Sequence, residues 1–234
     1  MSLTTPGTEA VKAVRGRRRL TSFTLMALAL MCMAALLPAM ASAATQEDKT
    51  QFSVTAGSLA FSTAPALPTL GTVTLTGAAQ TTNATMTNVG VSDATGSGAG
   101  WNVTVEGQTG AGKSNVFAAY CPEAKCGTEA EGYIAGGPSL AANSLTLTST
   151  GASLEGQGGT TGTAPLLQCA AACNVDSKTP VKIIDAAKET GMGTWLTKEF
   201  SKTSLALSTP STLKVLPAKE VYRVNLMWTL STGP

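Results

Sequence analysis

The sequence predicts an all-β protein, a β-sandwich of antiparallel strands carrying a Gly-rich, disulfide-stapled insertion. Three observations predict it. Short stretches of alternating apolar and polar residues recur at roughly 8 to 12 residue intervals, separated by Gly, Ser, Thr and Pro. The last of them, YRVNLMWTLSTGP at residues 222–234, places Tyr222, Val224, Leu226, Trp228 and Leu230 on one parity, which is the period of a half-buried strand. Four cysteines, Cys121, Cys126, Cys169 and Cys173, form two short clusters, CPEAKC and CAAAC.

The chain opens with a basic cluster, Lys12, Arg15 and Arg17 to Arg19, followed by an almost wholly apolar run over residues 21–40. Pro38 breaks that run and Ala41-Ser42-Ala43 supplies a small-x-small cleavage site. This is the pattern of a secretory signal peptide, residues 1–43, rather than a retained anchor, because no charged stop-transfer flank follows. The expected product is secreted, and it meets the membrane only through the signal peptide before cleavage. Residues 44–234 are expected to form a single domain, with an insertion at about 107–190.

Removing the leader leaves 191 residues with 11 basic and 13 acidic side chains, net −2. No basic patch remains, so nucleic acid is not an expected partner, since phosphate binding needs clustered Lys and Arg. Cys32 leaves with the leader, so the four remaining cysteines are even in number and suit an oxidising compartment. Two disulfides are expected. Three pairings are open, with the local pairs Cys121–Cys126 and Cys169–Cys173 favoured, over a zinc site whose spacings would be looser than those of zinc ribbons.

Along the mature chain, QFSVTAGSLAFS alternates through Phe52, Val54, Leu59 and Phe61, and GTVTLTG through Val73 and Leu75; both are expected strands. A Gly-rich turn at residues 96–100 leads into WNVTV, a strand with Trp101, Val103 and Val105 on its apolar parity. Between residues 107 and 162 only one strand is clear, at residues 144–148. VKIIDAAKETG fits a helical turn or a strand followed by a turn equally well. GTWLTKEF, SLALS and TLKVL are strands again. The terminal stretch is expected as one strand inside a sheet, paired on both sides, since an exposed edge would invite aggregation.

The terminal stretch also carries a family resemblance. Tyr222, Leu226, Trp228, Leu230 and Pro234 fill every fixed position of the distal motif of the WxL domain of Gram-positive bacterial surfaces. The proximal Trp-x-Leu motif falls on Trp101-Asn102-Val103, with Val103 where the family has Leu, and DATGSGAGWNVTV resembles that half of actinobacterial WxL-type proteins. The resemblance implies non-covalent binding to peptidoglycan, with companion cell-surface proteins as further partners, and it makes these seven residues the candidate ligand-binding set.

Other chemistry finds less support. GQTGAGKS at residues 107–114 matches the Walker A pattern, but Pro122 and two cysteines follow too soon for the helix a P-loop requires, so no nucleotide is expected. The chain contains no His, which removes the usual proton shuttle and the commonest metal ligand. Asp93, Glu106, Glu129, Glu131 and Glu155 are available carboxylates, yet nothing ties two of them to one cleft. No enzyme activity, cofactor or metal is expected. Leu67-Pro68-Thr69-Leu70-Gly71 lacks the ending and the hydrophobic tail of a sortase signal, so attachment would be non-covalent. Two classes stay open: a wall-binding module of the cell surface, and a structural or adhesive subunit that assembles with other surface proteins by strand pairing.

Overall fold

The computed structural model describes residues 49–122, Cys126 and residues 130–234. The expected signal peptide and Glu129 lie outside the described residues. Of the unit Met1–Phe52 only residues 49–52 are described, and they form no strand. Ser53–Pro234 is the other compact unit, and its regular structure is almost entirely β.

Fifteen strands follow one another among the described residues. They are β1 (Leu59–Thr63), β2 (Gln80–Ala84), β3 (Gly90–Asp93), β4 (Trp101–Gly107), β5 (Ala118–Cys121), β6 (Gly132–Tyr133), β7 (Leu145–Leu147) and β8 (Ser153–Gln157). Then come β9 (Leu166–Leu167), β10 (Cys173–Asn174), β11 (Val181–Ala186), β12 (Gly193–Lys198), β13 (Leu205–Thr209), β14 (Val221–Arg223) and β15 (Leu226–Thr232). All pairings are antiparallel. They build three four-stranded sheets, ordered β1-β3-β12-β8, β10-β7-β13-β2 and β15-β4-β11-β9, and a small sheet, β14-β5-β6.

One hydrophobic core joins the three larger sheets. Val91 and Trp195 enter it from the first, Leu145, Leu147, Leu205 and Leu207 from the second, and Trp101, Val103, Val105, Ile183 and Ile184 from the third. The alternation explains why: in β4 the residues at 101, 103, 105 and 107 are buried and those between are half-buried. Removing these apolar surfaces from water is the dominant stabilising term, on the order of 2 kcal/mol per large side chain.

The stretch 107–190 does not stand apart from these sheets. It supplies β5 to β11, four of them before residue 162 where a single strand was expected, and β11 pairs with β4 in the middle of the third sheet. β11 is a strand, not a helical turn. Its register slips between Lys182 and Ile184, so that a bulge puts both Ile183 and Ile184 into the core. That adjacent apolar pair is what made the segment read as ambiguous between periods.

Four expected strands are corrected. Only residues 59–63 of QFSVTAGSLAFS are strand, while Phe52 and Val54 are exposed. GTVTLTG and TLKVL are irregular: their main chains join no sheet ladder. The terminal stretch, expected as one strand with both sides paired, is two strands in different sheets, and β15 is an edge. The edge is tolerable because its exposed positions include Thr229 and Ser231, and because β1 of the first sheet lies close to it.

Both disulfides are local, Cys121–Cys126 and Cys169–Cys173. The second closes the turn that carries the chain from β9 in the third sheet to β10 in the second. Loop entropy makes such short closures worth about 2 kcal/mol each. Reduction is therefore expected to lower the melting temperature while the far-UV circular dichroism of the native β-structure persists; loss of that spectrum at room temperature would show that the staples hold the core itself.

Asp176 is fully buried just after β10. Its Oδ2 accepts the Ser144 N–H at 2.9 Å, and its Oδ1 has no partner among the described residues. Burial pushes its carboxyl above the ordinary Asp value, opposed by the surrounding backbone N–H groups of Leu145, Ser144 and Asn143. A raised folded-state value means the native state holds the proton more tightly than the unfolded chain. The resulting stability is fully present below the unfolded Asp value of about 4 and is lost as pH rises through the folded one. Thermal melts between those limits should show the wild type losing stability with rising pH more steeply than Asp176→Asn; identical slopes would mean that Asp176 does not titrate in this way.

Candidate functional site

The two halves of the candidate motif meet in one antiparallel ladder between β4 and β15. Trp101 lies opposite Thr232, Val103 opposite Leu230, Val105 opposite Trp228 and Gly107 opposite Leu226. Directly opposed residues project from the same face of a sheet, so Leu226, Trp228 and Leu230 extend the buried row of β4 toward the sheet edge. Trp101 and Val103 are fully buried, whereas Leu226, Trp228 and Leu230 are half-buried and pack on the core's margin. The motif thus grades from a dry interior to a partly open rim.

Local chemistry fixes the end of this ladder where Trp101 meets Thr232. Trp101 Nε1 donates to the Gly191 carbonyl at 3.0 Å, so the buried indole keeps its hydrogen bond. Asn102 Nδ2 donates to the Gly233 carbonyl at 2.7 Å, and the Gly233 N–H donates to Gly100 O at 2.8 Å. These two bonds hold the last residues against the start of β4, while Pro234 itself is exposed.

Tyr222 stands elsewhere. It belongs to β14, opposite Ala119 of β5, and its hydroxyl donates to the Lys214 carbonyl at 2.9 Å. Burial is the larger influence on its phenol and raises it above its ordinary value. The chain passes from β14 to β15 through Asn225, a residue that reading the alternation missed. Asn225 Oδ1 accepts the Tyr133 hydroxyl at 2.6 Å and the Ser114 N–H at 3.3 Å, and its main chain bonds to Ser114 and Gln108. The only sequence signal was a polar residue within an apolar run.

Beside Asn225 lies an aromatic and basic cluster that sequence reasoning also missed. The Tyr120 and Tyr133 rings meet edge to face at 5.0 Å, Arg223 sits 4.4 Å over the Tyr120 ring, and the Tyr120 hydroxyl donates to Glu131 at 3.0 Å. Burial and then the Glu131 contact raise the Tyr120 phenol, against the opposing pull of Arg223.

The Walker-like segment is a tight turn. Lys113 N–H bonds to Gly110 O, Gln108 and Ser114 are tied to Asn225, and the chain continues into β5 rather than a helix. The candidate carboxylates are dispersed. Asp93 accepts the Thr95 N–H and hydroxyl, Glu131 serves Tyr120, and Glu155 faces Lys198 at 3.9 Å. Glu106 lies on β4, across from Met227. Trp195, which fits neither motif, is a core residue whose Nε1 donates to Met192 O at 3.1 Å.

Because Trp228 is half-buried, Trp228→Ala is expected to cost about 2 kcal/mol, below the 3 to 5 kcal/mol of a fully buried Trp. Urea unfolding checks this, and an unchanged midpoint would mean that the indole contributes no packing.

Antiparallel sheets packed around one core, with a Trp-bearing ladder at its margin and two local disulfides, define an all-β sandwich domain. A family model, WxL domain surface cell wall-binding, matches residues 43–234. The chain belongs to that family, and with it to the cell surface or cell wall. It matches no curated protein and no solved structure.

Proposed function

We propose that this chain is an exported, non-enzymatic surface protein that holds on to peptidoglycan without a covalent link. The observation that carries the reading is the family match over residues 43–234, which spans both halves of the motif ladder. The leader pattern at residues 1–43 supports export with cleavage near Ala43, leaving residues 44–234 as the working domain. Absence of His from the sequence supports a binding rather than a catalytic role.

Within the motif the residues divide by exposure. Trp101 and Val103 act as the floor that holds β15 in register. Tyr222, Leu226, Trp228, Leu230 and Pro234, all partly open or exposed, are the candidates for contact with the wall or with companion surface proteins. A partly exposed indole offers a flat apolar face to a sugar ring.

Cell fractionation tests the reading. The mature protein is expected in the wall fraction and should be released by boiling in detergent without any wall-degrading enzyme. Release only after enzymatic digestion of the wall would overturn non-covalent attachment, and recovery solely in the medium would overturn wall binding.

A further inference from the structure

A cleft of about 890 Å³ opens beside β13 and β14, floored by Phe117, Leu140, Leu145, Leu205 and Leu207. Two irregular stretches line it, residues 67–73 and residues 214–216. Along residues 67–73 no main-chain N–H or C=O has a hydrogen-bond partner among the described residues, and along residues 214–216 only the Lys214 carbonyl has one, the Tyr222 hydroxyl. Val215 is 80% exposed at its mouth. Both stretches come from sequences that alternate like strands, TLGTVTLTG and TLKVL, and that lack a partner to pair with. An apolar trough lined by two unpaired, strand-forming stretches is the arrangement that accepts an added β-strand: the stretches supply main-chain bonds and the floor supplies pockets for alternate side chains.

The same chain offers such a strand. Residues 51–55, QFSVT, alternate Phe52 and Val54 with Gln51, Ser53 and Thr55, yet they form no strand, and residues 51–56 make no main-chain hydrogen bond among the described residues. Phe52 is 91% and Val54 82% exposed. Six extended residues span about 20 Å, close to the roughly 23 Å that residues 67–73 would cover if extended. Charge agrees with this occupant. The cleft lining carries Lys214 and Arg223 against Glu220, and the sequence directly before the segment carries Glu47 and Asp48 against Lys49, so that the two meet as one net positive and one net negative charge.

We propose that the cleft receives the segment 51–56 of a second copy of this chain, so that the protein assembles head to tail by strand addition. Donor and acceptor are different surfaces, so the contact is heterologous and propagates to a filament or closes to a ring. It does not depend on the wall-binding reading.

The test is the solution mass of the mature chain, residues 44–234, by light scattering as a function of concentration. Two variants at exposed positions leave the core untouched: Phe52→Asp with Val54→Asp removes the donor, and Val215→Asp spoils the cleft mouth. Wild-type mass should rise with concentration, and each variant should assemble at least about tenfold more weakly, since an unpaired carboxylate is poorly tolerated in an apolar site. Mixed together, the two variants should form a one-to-one pair that grows no further, through the intact cleft of the first and the intact segment of the second. A wild-type chain that stays monomeric, variants that assemble as the wild type does, or a mixture that does not associate would each overturn the proposal. So would a monomer in which residues 67–73 are protected from hydrogen exchange and lose that protection in the donor variant, because the segment would then occupy its own cleft. Both variants should still sediment with peptidoglycan, which separates failure of this assembly from failure of wall binding.

Discussion

Trp101→Ala is expected to remove about 3 to 5 kcal/mol of stability, the largest loss of any single side-chain truncation in the domain. Trp101 has no exposed surface, and it packs in the core cluster shared by all three larger sheets. Truncation leaves a cavity there and strips the Gly191 carbonyl of its donor. A buried acceptor without a partner adds a desolvation penalty of about 1 to 3 kcal/mol to the lost packing. A domain of this size is stable by only about 5 to 15 kcal/mol, so the variant should populate unfolded molecules at physiological temperature. Urea unfolding of the variants checks the apportioning: Trp101→Phe should lose about 1 to 3 kcal/mol, since it fills most of the cavity and leaves the carbonyl orphaned. A Trp101→Ala midpoint close to that of the wild type would mean that the indole is not the core element described here.

Gly100→Ala is expected to cost about 3 kcal/mol, from two separate causes. Its φ of +79° lies in the left-handed region, which costs an L-residue about 1 to 2 kcal/mol. The added Cβ would also meet the carbonyl of Ala186 and the backbone of Ala187 at the end of β11, so that β4 and β11 would have to part where Trp101 faces Ala186. Overpacking of this kind costs about 1 to 3 kcal/mol. Gly96→Ala makes the control, because Gly96 shares the positive φ, at +66°, and has open space around its Cβ. Equal losses in the two variants would place the whole effect in backbone conformation and none in the strand contact.

The ladder between β4 and β15 was legible because both strands run at period two without a bulge, so that Trp101, Val103 and Val105, and Leu226, Trp228 and Leu230, declare their buried parity. Its place at a sheet edge was not. Alternation records which face of a strand is buried and carries no information on whether its two sides are paired. The break between Tyr222 and Leu226 was hidden for a related reason: Asn225 is held by Ser114 and Tyr133, far away in the chain, and no local pattern announces such partners. Strand propensity misled at GTVTLTG and TLKVL, where the residues suit a pleated surface but no neighbour completes the pairing. At Ile183 and Ile184 the bulge broke the period on which the reading depended. The even number and export context of the cysteines pointed to two disulfides, while spacing only favoured the local pairs among three open pairings, and those local pairs are the ones that form. The Tyr120, Tyr133 and Arg223 cluster did not, because its members come from three strands.

The most direct test of the proposed function is a binding isotherm of the purified mature chain on insoluble peptidoglycan stripped of protein and secondary polymers. Saturable sedimentation is expected, reversed by denaturant and weakened in Trp228→Ala while that variant remains folded by circular dichroism. A folded wild-type protein that stays in the supernatant at every peptidoglycan concentration would contradict it.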